Sequence, residues 1–152
     1  MEYALLFFLG FSFSFLFFTV SAFEFPFSSF NFSSLAAPSD SIHQDQIEIF
    51  DDRIVIHVRD ASVSDYAPTG SMKPLLNEKS NGIRVKPLSE DDIQVGDIIS
   101  FRSGGLLIVH RVVEKGLDSD GVYFITKGDN NALSDGKIRF SDIEYKTVGV
   151  IW

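Results

Sequence analysis

The sequence predicts a mainly β domain that follows one N-terminal transmembrane helix. Residues 3–23 form an uninterrupted run without a charged side chain. Beyond the first 44 residues, short segments alternate apolar and polar side chains and are separated by Gly, Asn and Asp turns. No helical periodicity is sustained there, and alternation with a period of two is the pattern of a half-buried strand. We therefore expect an anchor over residues 1–23, a linker over residues 24–44 and a β domain over residues 45–152.

The composition divides the chain in the same way. Twelve of the 16 Phe lie in the first 32 positions, whereas all 13 Lys and Arg lie at Arg53 or later. From residue 40 onward, 19 acidic and 13 basic side chains give a net charge of −6. An acidic domain without a basic patch argues against nucleic acid as a partner. The chain has no Cys and its three His are scattered, so neither thiol chemistry nor a metal site is predicted, and no cofactor is expected.

The apolar N-terminal run predicts a membrane anchor. As a helix, its 21 residues would span about 31 Å, roughly the hydrocarbon thickness of a bilayer. A retained anchor is favoured over a cleaved secretory signal, because no Lys or Arg precedes the run and the run is longer than usual for a signal. The cleaved signal stays open as an alternative, since Val20, Ser21 and Ala22 form an acceptable cleavage site. Either interpretation makes membrane lipid a partner of the chain.

The linker, residues 24–44, is rich in Ser and Phe. This composition suits aromatic rings that rest at a membrane interface, and a disordered stalk is the alternative for its second half.

Seven short strands are predicted after the linker. Two hairpins are expected, one turning at Asp51 and Asp52 and the other at Gly104 and Gly105. Only the stretch SEDDI, residues 89–93, indicates a helical turn. The number and length of the strands fit a partly open barrel or stacked sheets. The predicted strands lie at residues 46–50, 53–58, 81–88, 96–103, 105–114, 121–128 and 145–152.

The stretch PTGSMKP, residues 68–74, presents a serine hydroxyl between two prolines. Ser71 would become a nucleophile only if a neighbouring base removed its proton. His110, in the stretch LLIVHRVV, is a candidate base because an imidazole is mostly unprotonated at neutral pH. The alternative for His110 is a structural histidine satisfied by a backbone partner, and the same alternative holds more strongly for His57.

The polar turn KGDNNALSDG contains two aspartates that could orient such a base. A carboxylate that accepts from the second ring nitrogen would fix the tautomer and stabilise the imidazolium. Taken alone, the stretch is more simply explained as a tight Gly-Asp-Asn turn at Asp129, with Asp135 as a cap or a solvated acid. The residues themselves leave both interpretations open.

Four blocks of the chain, in this order, together resemble the type I signal peptidase family. They are PTGSMKP, GDIISF, IVHRVVE and FITKGDNNALSD. The histidine of the third block is similar to the archaeal and endoplasmic-reticulum branch rather than to the usual bacterial Ser-Lys form. The resemblance covers roughly residues 45–152 and implies a domain of coiled β-sheets. It also implies that Ser71 is the nucleophile and His110 the general base.

The resemblance assigns roles to four further positions. Asp135 is expected to orient His110, and Asp129 to support it. The Thr69 hydroxyl and the Ser71 backbone N–H are expected to form the oxyanion hole. Met72 is expected to contribute to the substrate groove, with plain core filling as the alternative.

The activity implied by the resemblance is that of a membrane-anchored serine endopeptidase. It would remove N-terminal signal peptides from exported preproteins and cut after small residues. A single membrane pass would hold the catalytic domain on the extracytoplasmic side, with signal peptides as substrates and the translocation machinery as a further partner. A hypothesis of another class is a catalytically silent, membrane-tethered β domain that binds extended peptides. A LexA-like self-cleaving repressor shares the Ser-Met-x-Pro element, but it requires a DNA-binding domain and a lysine base.

Overall fold

The structure is a computed structural model that describes residues 35–152. Within this range the protein is mainly β, as the alternating pattern predicts. The strands are β1 (Ile47–Ile49), β2 (Ile54–Ile56), β3 (Ser62–Asp65), β4 (Asn81–Val85), β5 (Ile98–Ser103), β6 (Leu106–Asp118), β7 (Gly121–Lys127), β8 (Lys137–Ile138) and β9 (Ile143–Ile151). Short 3-10 turns occur at Gln44–Gln46, Glu90–Asp92 and Phe140–Asp142.

The predicted anchor, residues 1–23, lies outside the described residues, as does the linker up to residue 34. In the described range, no helix has the length and apolar character needed to cross a bilayer.

The strands form two antiparallel sheets. β1 and β2 make a hairpin of their own, and the other seven strands follow the order β3-β4-β9-β5-β6-β7-β8. β3 and β8 lie at the two edges of the larger sheet, so the sheets do not close into a barrel. Bulges interrupt the pairing of β4 with β9, of β5 with β9 and of β6 with β7. Such bulges increase the local twist of a sheet.

Both predicted hairpins are present. β1 pairs with β2 across Asp51 and Asp52, and β5 pairs with β6 across Gly104 and Gly105. Gly104 and Gly105 have φ angles of 56° and 80°. Two consecutive positive φ angles are what a two-residue hairpin turn of type I′ requires, and glycine adopts them without strain.

The buried side chains form two apolar clusters, and β5 contributes to both. Ile98 and Ile99 belong to different clusters because successive side chains of a strand point to opposite faces. The smaller cluster joins Ile98 to Met72 and Leu76, and it therefore fixes the loop that carries Ser71. The larger cluster comprises Ile93, Ile99, Phe101, Val112, Phe124, Ile138 and Ile143.

Candidate active site

Ser71 lies in the loop between β3 and β4, and its hydroxyl contacts Thr69. Ser71 Oγ is 3.2 Å from Thr69 Oγ1, and the Ser71 N–H donates to the same oxygen at 3.4 Å. Gly70 has a φ of 74°, a left-handed conformation that bends the chain just before the nucleophile candidate. Met72, only 5% exposed, ties the other side of the bend to the core. The bend thus presents the Ser71 hydroxyl beside the two predicted oxyanion donors.

A turn that follows β7 holds the carbonyl of Ser71. The Asn130 N–H donates to Ser71 O at 2.8 Å, and Asn130 Nδ2 donates to Gly70 O at 3.2 Å. A Cβ atom at Gly128 would lie 2.7 Å from Ser71 O, so the turn approaches this closely only with glycine there. The aspartate of this Gly-Asp-Asn turn stands out in the sequence, whereas no pattern there marks Gly128 or Asn130 for a contact with Ser71.

His110 lies on β6, is 6% exposed and hydrogen-bonds an aspartate. Its Nδ1 is 2.6 Å from Asp135 Oδ2. A carboxylate can only accept, so Nδ1 carries a proton, and in the neutral imidazole Nε2 then keeps its lone pair. This is the tautomer that a general base requires.

Thr126 fixes the carboxylate of Asp135. Thr126 Oγ1 donates to Asp135 Oδ2 at 2.7 Å, and the Asp135 N–H donates to Thr126 O at 2.7 Å. Thr126 is fully buried on β7. Thr126, on a strand, therefore fixes the position of Asp135, which lies in a loop. The sequence contains no signal that marks Thr126 for this role.

Asp129, the other predicted acid, binds Arg111 instead of His110. Arg111 Nε and Nη2 each donate to one Asp129 oxygen at 2.8 Å. The Asp129 side chain is only 3% exposed, and the Arg111 side chain 6%. The structure therefore brings Asp135 to the imidazole and holds Asp129 in a buried, bidentate ion pair.

Ser71 and His110 line the same cavity, although 39 positions separate them in the sequence. The cavity has a volume of about 660 Å³. Its walls are residues 64–67 at the end of β3, residues 69–72, residues 106–110 of β6, and the side chains of Leu76, Arg84 and Asn131. Within residues 35–152, the Ser71 hydroxyl hydrogen-bonds Thr69 and not His110. Catalytic hydrogen bonds of unliganded sites commonly tighten only when substrate binds.

The other histidines lie elsewhere. His57 Nε2 is 2.8 Å from Glu48 on the exposed β1–β2 hairpin, and His43 is 3.6 Å from Asp40. Between residues 35 and 152, no cluster of His, Asp and Glu has the arrangement of a metal site. Met72 both fills the smaller core cluster and lines the cavity, so the groove and core interpretations of this residue are compatible.

Comparison with known proteins gives partial matches. No protein-family model matches the chain, and no solved structure matches it. Over 69 residues the chain is 39% identical to signal peptidase I W of Bacillus subtilis, a match that covers 44% of this chain and 36% of that protein. Over 72 residues it is 38% identical to the signal peptidase complex catalytic subunit SEC11C of Homo sapiens and of Mus musculus, again covering 44% of this chain and 36% of each relative.

The match thus spans well under half the length of each of these curated relatives. The two kinds of relative carry names that agree on signal peptidase. These similarities support a relationship between this chain and the type I signal peptidase family.

Proposed function

We propose that the chain is a serine endopeptidase of the signal peptidase I type, which removes N-terminal signal peptides from preproteins. One observation carries the proposal: Ser71 and His110 line one cavity, and Asp135 binds the Nδ1 of His110. The similarity to signal peptidases of bacterial and mammalian origin supports the same reaction.

In this mechanism His110 acts as general base. Its Nε2 takes the proton of Ser71 Oγ, which attacks the scissile carbonyl, and then gives that proton to the leaving amine. Asp135 holds the imidazole in the required tautomer and stabilises the imidazolium that forms. The resulting acyl-enzyme is hydrolysed by water, with His110 again as the base.

Two donors stabilise the oxyanion in this proposal. The Thr69 hydroxyl and the Ser71 N–H lie together at the cavity wall, 3.4 Å apart. Both turn toward the substrate oxygen when charge develops on it. The negative charge of the tetrahedral intermediate then faces two hydrogen-bond donors that the bend at Gly70 keeps close together.

The substrate binds as an extended strand in the cavity. β3 is an edge strand, so its outer backbone groups are free to pair with a peptide. Residues 106–109 of β6 form the facing wall. Met72, Leu76 and Val109 supply apolar surface for the side chain that precedes the cut, and the resemblance implies a small one.

The membrane belongs to the same proposal. The chain is anchored by residues 1–23 in a single pass, with the domain on the extracytoplasmic side in contact with lipid. Signal peptides are themselves held in the membrane, and confinement of both partners raises their effective concentration. The translocation machinery, which delivers preproteins, is the proposed partner.

The test uses the full chain in lipid vesicles and a preprotein substrate. Ser71→Ala and His110→Ala should each abolish cleavage. Two matched controls should cleave like the unmodified chain. Ser119→Ala removes an exposed hydroxyl that donates to Asp120, and His57→Ala removes an exposed imidazole that hydrogen-bonds Glu48.

Undiminished cleavage by Ser71→Ala or His110→Ala would overturn the proposal. If the unmodified chain bound signal peptides but never cleaved them, the catalytically silent β domain would be the better assignment.

A further inference from the structure

Part of the segment that precedes β1 is bound to the β domain at two points. We call residues 36–39 the strap. At its end, Ser39 N–H and Ser39 Oγ donate to Asp97 Oδ1 at 2.7 and 2.8 Å. Asp97 is fully buried, and Lys146 Nζ lies 3.0 Å from its other oxygen and 2.8 Å from Ser39 Oγ. The strap is thus held at Ser39 by a buried ion pair.

The electrostatics of Asp97 strengthen this attachment. Burial alone would raise the pKa of Asp97, but the backbone N–H groups of Gln94 and Ser39 and the Lys146 ammonium outweigh that effect, so its pKa lies below the usual range. The carboxylate is therefore charged at neutral pH, and its hydrogen bonds with Ser39 are charge-assisted.

The second attachment is at Ala36. Arg111 Nη1 donates to Ala36 O at 3.2 Å and to Gly96 O at 2.9 Å. A Cβ atom at Gly96 would lie 2.0 Å from Ala37 O, and Gly96 has a φ of 102°. The strap backbone can lie this close to the domain only because residue 96 is glycine.

The same guanidinium reaches the loop that carries Ser71. While Nη1 binds the strap, Nε and Nη2 hold both oxygens of Asp129. The next residue, Asn130, binds the carbonyls of Ser71 and Gly70. One buried arginine therefore connects the strap to the turn that fixes the nucleophile candidate.

We propose that the docked strap positions Ser71 for catalysis. Ser39 and Arg111 act as positioning residues: the strap holds Arg111 in place, Arg111 holds Asp129, and the turn after Asp129 holds the backbone of Ser71. The segment that leads from the membrane is then part of the catalytic scaffold and not only a tether. This inference rests on the proposed function and adds a set of contacts that affects the rate of peptide cleavage at the same site.

Two backbone N–H groups report the two ends of this connection. The Ser39 N–H, bonded to Asp97, reports the strap, and the Asn130 N–H, bonded to Ser71 O, reports the loop. Hydrogen exchange is measured at these two positions in the full chain. In Ser39→Ala the Asn130 N–H should exchange faster, and in Asp129→Asn the Ser39 N–H should do so by more than the amides paired between β6 and β7, since coupling between two sites is reciprocal.

Kinetics provide the second readout. Ser39→Ala should lower kcat on a signal-peptide substrate about twofold to thirtyfold, with KM unchanged, because it displaces the nucleophile without touching the groove. Ser119→Ala is the matched control and should leave both constants as they are. A merely structural role of Ser39 would instead raise exchange throughout the domain, including at the amides paired between β6 and β7.

The proposal is overturned if Ser39→Ala frees the strap while exchange at Asn130 and kcat stay unchanged. If Ser39→Ala fails to fold, hydrogen exchange at the Ser39 and Asn130 N–H groups of the unmodified chain is measured instead, in mild denaturant. Opening of Ser39 and Asn130 in one step supports the connection, and independent opening refutes it. The exchange readout needs no activity, so failure of the strap proposal is distinguishable from failure of the peptidase assignment, which Ser71→Ala tests.

Discussion

His110 and Arg111 are consecutive residues of β6 that bind different aspartates. His110 Nδ1 lies 2.6 Å from Asp135, and Arg111 grips Asp129 through two hydrogen bonds of 2.8 Å. Successive side chains of a strand point to opposite faces, so the two aspartates meet β6 on opposite faces. Substitution of Asp135 should therefore affect mainly the reaction rate, and substitution of Asp129 mainly the stability.

Asp135→Asn should act on the reaction rate. An amide can donate to Nδ1 and favour the tautomer in which Nε2 carries the proton, which is the wrong one for a base. We expect kcat to fall by about 10⁴-fold, the scale of the equivalent change in other Ser-His-Asp sites. Steady-state kinetics measure this, and a circular dichroism spectrum like that of the unmodified chain shows that the fold is retained. Near-normal kcat would contradict the orienting role.

Asp129→Asn should act on stability. It leaves the buried Arg111 guanidinium without its counter-charge, which costs about 3–5 kcal/mol of unfolding free energy. Chemical denaturation measures the change. The matched comparison is Asp120→Asn. The Asp120 side chain is 80% exposed and its ion pair with Arg139 is long, at 3.7 Å, so this substitution should change the unfolding free energy little. Equal effects of the two substitutions would refute this reading of Asp129.

Thr69→Val should remove one oxyanion donor while keeping the shape of the side chain. Loss of one such donor lowers kcat by about 10²- to 10³-fold. Thr69→Ser retains the hydroxyl and should retain most of the activity. The comparison of kcat and KM for the two variants checks the role, and equal activity of Thr69→Val and Thr69→Ser would exclude it.

Tyr66→Phe should stabilise the protein. In the described part of the chain, Tyr66 Oη is a buried side-chain oxygen without a hydrogen-bond partner. An unsatisfied buried polar group costs about 1–3 kcal/mol, so its removal should raise the unfolding free energy by up to that amount. Tyr123→Phe is the control, since its hydroxyl donates to Glu114 at 2.6 Å and its loss should not stabilise. A lower melting temperature for Tyr66→Phe would show that the hydroxyl has a partner in solution.

Asp118→Asn should change how stability depends on pH. The hydrogen bond from Lys137 and the interaction with Arg139 lower the pKa of Asp118 from 3.8 to about 2 in the folded chain. A carboxyl group with a lower pKa in the folded state stabilises that state above pH 3.8, and this contribution is lost as the pH falls toward 2. Denaturation at pH 6 should therefore show a less stable variant, with a difference that shrinks by pH 2. A difference that did not depend on pH would contradict the lowered pKa.

Seven of the nine described strands could be predicted, because each lies within a mainly apolar or alternating stretch of five residues or more; QIEIF and RIVIHV contain even the three-residue strands β1 and β2. β3 and β8 could not, since SVSD and KI contain one apolar residue each and are defined by pairing with β4 and β7. Such short polar stretches acquire strand geometry from their neighbours rather than from their own pattern.

The chemistry of the site could be predicted only in part. Ser71 and His110 are predicted as nucleophile and base from the four blocks that resemble the signal peptidase family, and these two roles stay predictions although both residues line one cavity. The choice between Asp129 and Asp135 depends on which face of β6 each acid meets, and the sequence does not contain that information. The contacts of Arg111 with the strap likewise join residues that are 75 positions apart.

Met72 belongs to the buried core and also to the cavity wall, and this restricts which substitutions the protein can tolerate at this position. Trimming its side chain to widen the space for a bulkier residue would leave a hole in the interior, at a cost of about 2–5 kcal/mol. A larger side chain would crowd both regions at once. In the proposed peptidase, new cleavage preferences would therefore have to evolve together with compensating repacking around Leu76 and Ile98.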